Sequence, residues 1–236
     1  MKNVTTLFLG ASLLTLAACG NNDSSSSTKK QTNPLVVDEG HYQATLAPLN
    51  AHLAGDVSGS ALVKVKGDSM TFEVKVNGAP SQIVHAQNIH IASECPTLSA
   101  DVNNDGVIDA VEAQKSYGPI IIPLDNDLRT QEEKDAKFPT ADFSGNYFYR
   151  QNVSMMEMMK DLTSKVENTN KNIVKLKSNL ALAGRQIVIY GVAADAAIPE
   201  TVATMNGESK HSGLPIACGS FIKIAVEESN TNGGKE

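Results

Sequence analysis

Apolar and polar residues alternate most clearly between residues 61 and 76. Ala61-Leu62-Val63-Lys64-Val65-Lys66 alternates, Gly67-Asp68 supplies a turn, and Met70-Thr71-Phe72-Glu73-Val74-Lys75-Val76 alternates again. That pattern predicts a β-hairpin with one buried face. Shorter apolar runs predict strands over 42–46, 83–91, 120–123, 173–176, 186–190 and 217–225. Their spacing and the turns between them point to an all-β fold, a Greek-key β-sandwich or barrel. One segment departs from this pattern. Over 153–166, Met155, Met158, Met159, Leu162 and Val166 recur on about one helical face and predict a short helix. A methionine-rich face invites a copper reading, but a core-facing stripe fits better, because Met fills irregular gaps.

The amino terminus has a different hydropathy. Lys2 precedes an apolar run over 4–18 that is too short for a comfortable membrane span and ends in Leu16-Ala17-Ala18-Cys19. This ending resembles a bacterial lipobox, which makes 1–18 a lipoprotein signal peptide and Cys19 the lipidated first residue; a plain signal peptide is the alternative. Residues 19–33 are dominated by Asn, Ser and Lys and cannot bury enough surface to fold, so they read as a flexible tether. Gly20, in place of Asp, directs such a protein to the outer membrane in a host with two membranes. Residues 34–226 are enough for one domain with a substantial core, and 227–236 read as a disordered polar tail. No second apolar span follows, so the lipid is the expected membrane attachment.

Charge narrows the partners. With 26 acidic and 20 basic residues the net charge is −6, and no basic cluster stands out. Phosphate binding needs concentrated Lys and Arg, so nucleic acid is excluded as a partner and an envelope or extracellular partner is expected. Setting Cys19 aside leaves Cys95 and Cys218 in an oxidising compartment. They are expected to pair; two buried free thiols are the alternative.

The densest chemistry lies in the twelve residues 101–112. Asp101, Asn103, Asp105, Val107, Asp109 and Glu112 stand at positions 1, 3, 5, 7, 9 and 12 of an EF-hand-type calcium loop. Positions 1, 3 and 5 supply side-chain oxygens, position 7 a backbone carbonyl, position 9 a water-bridged carboxylate and position 12 a bidentate Glu. Gly106 sits where the backbone must turn sharply, and Ile108 gives the loop an apolar anchor. Pro96 argues against a long entering helix, whereas 110–116 can form about two turns before Gly118-Pro119. A single loop of this kind implies calcium as cofactor, with a dissociation constant of about 10⁻⁴ to 10⁻³ M, which suits a structural role.

Three further segments, in order, resemble Cu/Zn superoxide dismutase of the bacterial periplasmic type. They are His85-Ala86-Gln87-Asn88-Ile89-His90 followed by Cys95, then Gly184-Arg185-Gln186-Ile187-Val188-Ile189-Tyr190-Gly191, then Leu214-Pro215-Ile216-Ala217-Cys218-Gly219. The resemblance implies a superoxide-dismutase-like sandwich and again pairs Cys95 with Cys218. Its metal ligands do not carry over. Asn88 and Tyr190 stand at positions where the family has copper-binding His, and His90 alone keeps its ligand type. No His lies between His90 and His211, so the family's bridging and zinc ligands are missing, and no Arg follows Arg185 to match the family's active-site arginine. The resemblance therefore implies vestigial copper-site positions at Asn88, His90 and Tyr190. His90 is expected to be a buried imidazole hydrogen-bonded to backbone or to Tyr190. Bacterial chordin-like domains resemble the same fold, and Asn88-Ile89-His90 partly matches their His-Ile-His signature.

Two functional classes follow. As a binding or structural module, the domain presents calcium-fixed loops at the cell envelope and is not an enzyme. The alternative is a copper-dependent superoxide dismutase with an altered ligand set. No Ser-His-Asp, Cys-His or nucleophile-elbow pattern supports another catalytic site.

Overall fold

The alternation over 58–77 folds as a hairpin. Strands β2 (Ser58–Lys66) and β3 (Ser69–Asn77) pair antiparallel from Ser58↔Asn77 to Lys66↔Ser69, and left-handed Gly67 (φ 55) opens the two-residue turn. Cross-strand pairs Ala61↔Val74, Val63↔Phe72 and Val65↔Met70 are all buried, so one face of the hairpin lies in the core. This hairpin belongs to the computed structural model of the chain, which describes residues 37–129, 137–164, 180–205 and 207–225. All of them lie in Leu35–Glu236, the second of two units into which the chain divides.

The remaining strands are β1 (Gly40–Pro48), β4 (Gln87–His90), β5 (Ile120–Pro123), β6 (Tyr147–Ser154), β7 (Gln186–Tyr190), β8 (Pro215–Ser220) and β9 (Ile222–Ile224). They form one antiparallel sheet in the order β5-β4-β7-β8-β1-β2-β3-β6, with β9 also pairing β1. The non-consecutive neighbours β4–β7, β8–β1 and β3–β6 are the long returns of a Greek-key arrangement. The fold is all-β, as the sequence pattern predicts. Val63, Phe72, Ile89, Ile122, Ile187 and Ile216, drawn from both halves of the sheet, share a single main core. Four short helices complete the described elements: α1 (Ala51–Ala54), α2 (Ala110–Tyr117), α3 (Met155–Ser164) and α4 (Lys210–Gly213).

Four expectations are corrected. The strand expected over 83–91 shortens to β4, because Val84 pairs with Thr140 as an isolated bridge and the His85 N–H donates to the Pro139 carbonyl. The strand expected over 217–225 is two strands. Between them, Phe221 turns its backbone to Arg185 and Gly184 while its ring enters the core. The helix expected from residue 153 begins at Met155, since Ser154 still belongs to β6 and Asp68 caps the first turn by accepting from the Met156 N–H. Strand β6 itself was not anticipated: of its eight residues only Tyr149 is fully buried, so no apolar alternation marks it. Met158 and Met159 are buried in the core and Met155, partly buried, packs against it, as expected of these three positions. Val166, the strand expected over 173–176, Cys19 and the segments 1–18, 19–33 and 227–236 lie outside the described residues.

A second, smaller core occupies the other face of β4, β7 and β8. Ile108, Ala113, Tyr117, Val188, Tyr190 and Cys218 form its centre, with Cys95 packed against it. On β4, Ile89 faces the main core while Asn88 and His90 face this outer layer, as the two-residue period of a strand requires. The layer thus carries both the acidic loop and Asn88, His90 and Tyr190.

Candidate metal centre

Cys95 bonds to Cys218 of β8, with Cα atoms 5.8 Å apart. Past this fixed point the chain makes one 3₁₀ turn, Leu98–Ala100, and no long entering helix, as Pro96 foretells. The loop then winds around its own carboxylates. Asp101 accepts from the Asp105 N–H through Oδ1 (3.2 Å) and from the Gly106 N–H through Oδ2 (2.9 Å). Asn103 Oδ1 also accepts from the Asp105 N–H (2.9 Å), and Asp105 Oδ1 from the Val107 N–H (2.9 Å). Asn104 (φ 57) and Gly106 (φ 85) take the left-handed conformation that so tight a coil needs.

The exit helix α2 is built from the same acidic residues. Asp109 is its N-cap, accepting from the N–H groups of Val111 and Glu112 (both 2.9 Å), and Glu112 Oε2 accepts from the Asp109 N–H (3.1 Å). This capping box satisfies donors the first helical turn would otherwise leave open. Glu112 Oε1 also reaches back across the loop to the N–H groups of Val102 (2.8 Å) and Asn103 (3.3 Å). The last expected ligand is thereby brought against the first turn of the loop.

Three residues, Asn50, Thr201 and Ala203, hold this coil to the rest of the domain, and none of these contacts was visible in the sequence. Asn50 accepts from the Ile108 N–H (2.8 Å) and donates to the Ile108 and Pro215 carbonyls (both 2.9 Å). Its side-chain amide thus pairs with Ile108 as a neighbouring strand would. The Thr201 hydroxyl donates to Asp105 Oδ2 (2.6 Å), and the Ala203 N–H to Asp109 Oδ2 (2.7 Å). The hydrogen bond from Thr201 holds the Asp105 carboxyl below its ordinary range.

The donor set fits a hard divalent cation. It is all oxygen, with Asp101, Asn103, Asp105 and Glu112 in one turn-and-a-half of backbone and Val107 supplying a carbonyl. Among the described residues no three His, Cys, Asp or Glu side chains are gathered as a metal cluster. The four expected carboxylates, Asp101, Asp105, Asp109 and Glu112, are therefore not gathered three together here. Asp109 accepts from backbone N–H groups through both oxygens, Oδ1 from Val111 and Glu112 and Oδ2 from Ala203.

Near α2 lie Asn88, His90 and Tyr190, the positions at which the resemblance expects copper ligands. His90 is buried; its Nδ1–H donates to the Gly118 carbonyl (2.7 Å), leaving Nε2 to accept from the Tyr190 hydroxyl (2.9 Å). Both hydrogen bonds expected of His90 are present. Burial lowers its pKa to about 4, against the opposing pull of the Gly118 carbonyl. Tyr117 lies with its ring 4.3 Å from the imidazole and edge-on to Tyr190 at 6.5 Å. Burial raises the Tyr117 hydroxyl far above its ordinary range. His85 is elsewhere, its ring between the Tyr190 and Pro80 carbonyls (2.9 and 2.8 Å), so the two histidines of the first segment do not converge.

No family model matches this sequence, and no curated protein does. Among solved structures, the chain is similar to a double mutant of a SOD-like protein from Bacillus subtilis. The identity is 14%, the TM-score 0.37, and the match covers 75% of this chain and 95% of that one. The likeness is distant.

Proposed function

We propose that this chain is a lipid-anchored envelope protein whose β domain binds calcium through 101–112 and serves as a binding or structural module. The observation that carries the reading is the return of Glu112 onto the first turn of an all-oxygen loop held to the sheet by Asn50 and the Cys95–Cys218 bond and to the 191–209 segment by Thr201. In that loop Asp101, Asn103, Asp105, the Val107 carbonyl, Asp109 through a water and Glu112 would hold the ion, and bound calcium would neutralise their charge. The membrane attachment rests on Leu16-Ala17-Ala18-Cys19. Among the described residues no helix is long and apolar enough to cross a membrane.

The copper-dismutase alternative has less support in the geometry. Of its expected ligands only His90 is of the right type, and both of its ring nitrogens are engaged, by Gly118 and Tyr190. Titration calorimetry tests the calcium reading. One calcium should bind with a dissociation constant of about 10⁻⁴ to 10⁻³ M. Glu112→Gln should weaken it at least about tenfold by removing the bidentate carboxylate. Equal affinity in that variant would remove the loop as the site, and stoichiometric copper with dismutation would overturn the non-catalytic reading.

A further inference from the structure

Between β7 and α4 the chain reaches across to the acidic loop. The Thr201 hydroxyl donates to Asp105 Oδ2 (2.6 Å), and two residues further on the Ala203 N–H donates to Asp109 Oδ2 (2.7 Å). We propose that the turn 199–203 is the outer half of the calcium site, with Thr201 the positioning residue for Asp105, and that bound calcium in return fixes this turn.

The hydrogen bonds of Asp105 define what Thr201 does. Oδ2 accepts from Thr201 and from the Asn103 carboxamide (3.0 Å), while Oδ1 accepts from the Val107 N–H (2.9 Å). Each carboxylate oxygen offers about two lone-pair sites, so Oδ2 is filled and Oδ1 keeps one. A cation at the fifth loop position is therefore met by a single oxygen, on a carboxylate oriented from outside its own loop. Without the hydroxyl, only bonds from within the loop orient that carboxylate, and the ion must order it on binding.

The turn is anchored independently of the loop. Val202, between the two donors, is buried in the main core, whereas Thr201 and Ala203 are exposed. The Val202 N–H donates to the Pro199 carbonyl (3.3 Å), and Lys210 of α4 donates to the carbonyls of Pro199 (3.3 Å) and Glu200 (2.8 Å). Loss of one hydroxyl thus leaves the turn in place. If Thr201 and Ala203 favour the ion-binding arrangement of Asp105 and Asp109, the ion favours the arrangement of 199–203 by the same factor. Removing an outer partner of a metal-bound group lowers affinity by about ten- to a hundredfold, and the exposure of Thr201 places it at the lower end.

This role rests on the calcium reading of 101–112. The full chain in detergent is titrated with calcium chloride by calorimetry, and hydrogen exchange at the Ala203 amide is followed with and without about 10 mM calcium. Thr201→Val, which keeps the shape and removes the hydroxyl, should weaken calcium about tenfold, and Thr201→Ser should restore it to within about twofold. In the wild type, calcium should slow Ala203 exchange at least about threefold. A purely structural Thr201 would instead lower the calcium-free melting temperature and leave the dissociation constant alone. Equal calcium affinity in Thr201→Val and the wild type, or an Ala203 amide whose exchange ignores calcium, would each overturn the proposal. Exchange in the wild type decides even if Thr201→Val fails to fold. A wild type that binds no calcium removes both this role and the loop as a site. A wild type that binds calcium, loses it in Glu112→Gln and keeps it undiminished in Thr201→Val removes this role alone.

Discussion

Asn50 is buried, left-handed (φ 51) and committed to three hydrogen bonds, two with Ile108 and one with Pro215. Asn tolerates that backbone conformation better than most residues, and its carboxamide can donate two hydrogen bonds while accepting a third. Asn50→Ala should therefore destabilise the domain by about 2 to 4 kcal/mol in denaturant unfolding, since it strands buried backbone groups on both sides. Asn50→Asp should recover little, because it keeps the acceptor and loses both donors. An unaltered midpoint for Asn50→Ala would show that the loop does not depend on this clamp. His90 makes a prediction about pH. Its folded-state pKa of about 4 lies below the ordinary value of 6.5, so the unfolded chain binds the proton more readily. The stabilisation is complete above pH 6.5 and is lost as pH falls toward 4, by roughly 3 kcal/mol over that window. His90→Gln should flatten this part of the stability profile; an equally steep profile would assign the acid sensitivity to other groups.

Among the elements, the hairpin β2–β3 and the exit helix α2 were legible in the sequence because each is specified locally. Alternation fixes the buried face of the hairpin, and Asp109 with Glu112 at N-cap and N3 starts the helix. Strand β6 was not legible. It is an edge strand held by its backbone ladder to β3 and by polar contacts such as Asn152 to Thr71 and Arg150 to Glu73, which leave no hydrophobic period. The break at Phe221 was hidden for a different reason, since it depends on where residues 184 and 185 pass. The candidate loop could be read residue by residue, but its fastening by Asn50, Thr201 and Ala203 could not, because those partners are 58 to 96 residues away in the chain. The Cys95–Cys218 bond joins the loop's entry to β8 across 123 residues. Cys218→Ser should cost about 4 to 5 kcal/mol in the chain-entropy account, seen as a lowered melting temperature that reducing agent reproduces in the wild type. A melting temperature indifferent to both would mean that packing in the outer core alone holds these elements.

For the whole molecule, the two cores divide the labour. The main core lies within the sheet, while the outer core lies under the acidic loop 101–112. Calcium should therefore raise global stability only by mass action. At 10 mM ion and the affinities expected above, the gain is about 1.4 to 2.7 kcal/mol, or roughly 3 to 10 °C in melting temperature. A chelator should reverse it, and magnesium should substitute poorly because it keeps its waters and demands octahedral geometry. A melting temperature blind to calcium would leave the loop without a structural role.

Strand β1 enters the domain at Gly40, beside β9, and about 30 Å later delivers the chain to Asn50 and the acidic loop. With the anchor proposed at Cys19, a tug on whatever the loop holds runs lengthwise down β1, which is flanked by β2 on one side and by β8 and β9 on the other. Such a load is borne in shear by whole ladders at once and not peeled off bond by bond. Anchored as proposed, the domain would resist a pull along β1, whereas pulling from the sheet's β6 edge should tear it at far lower force.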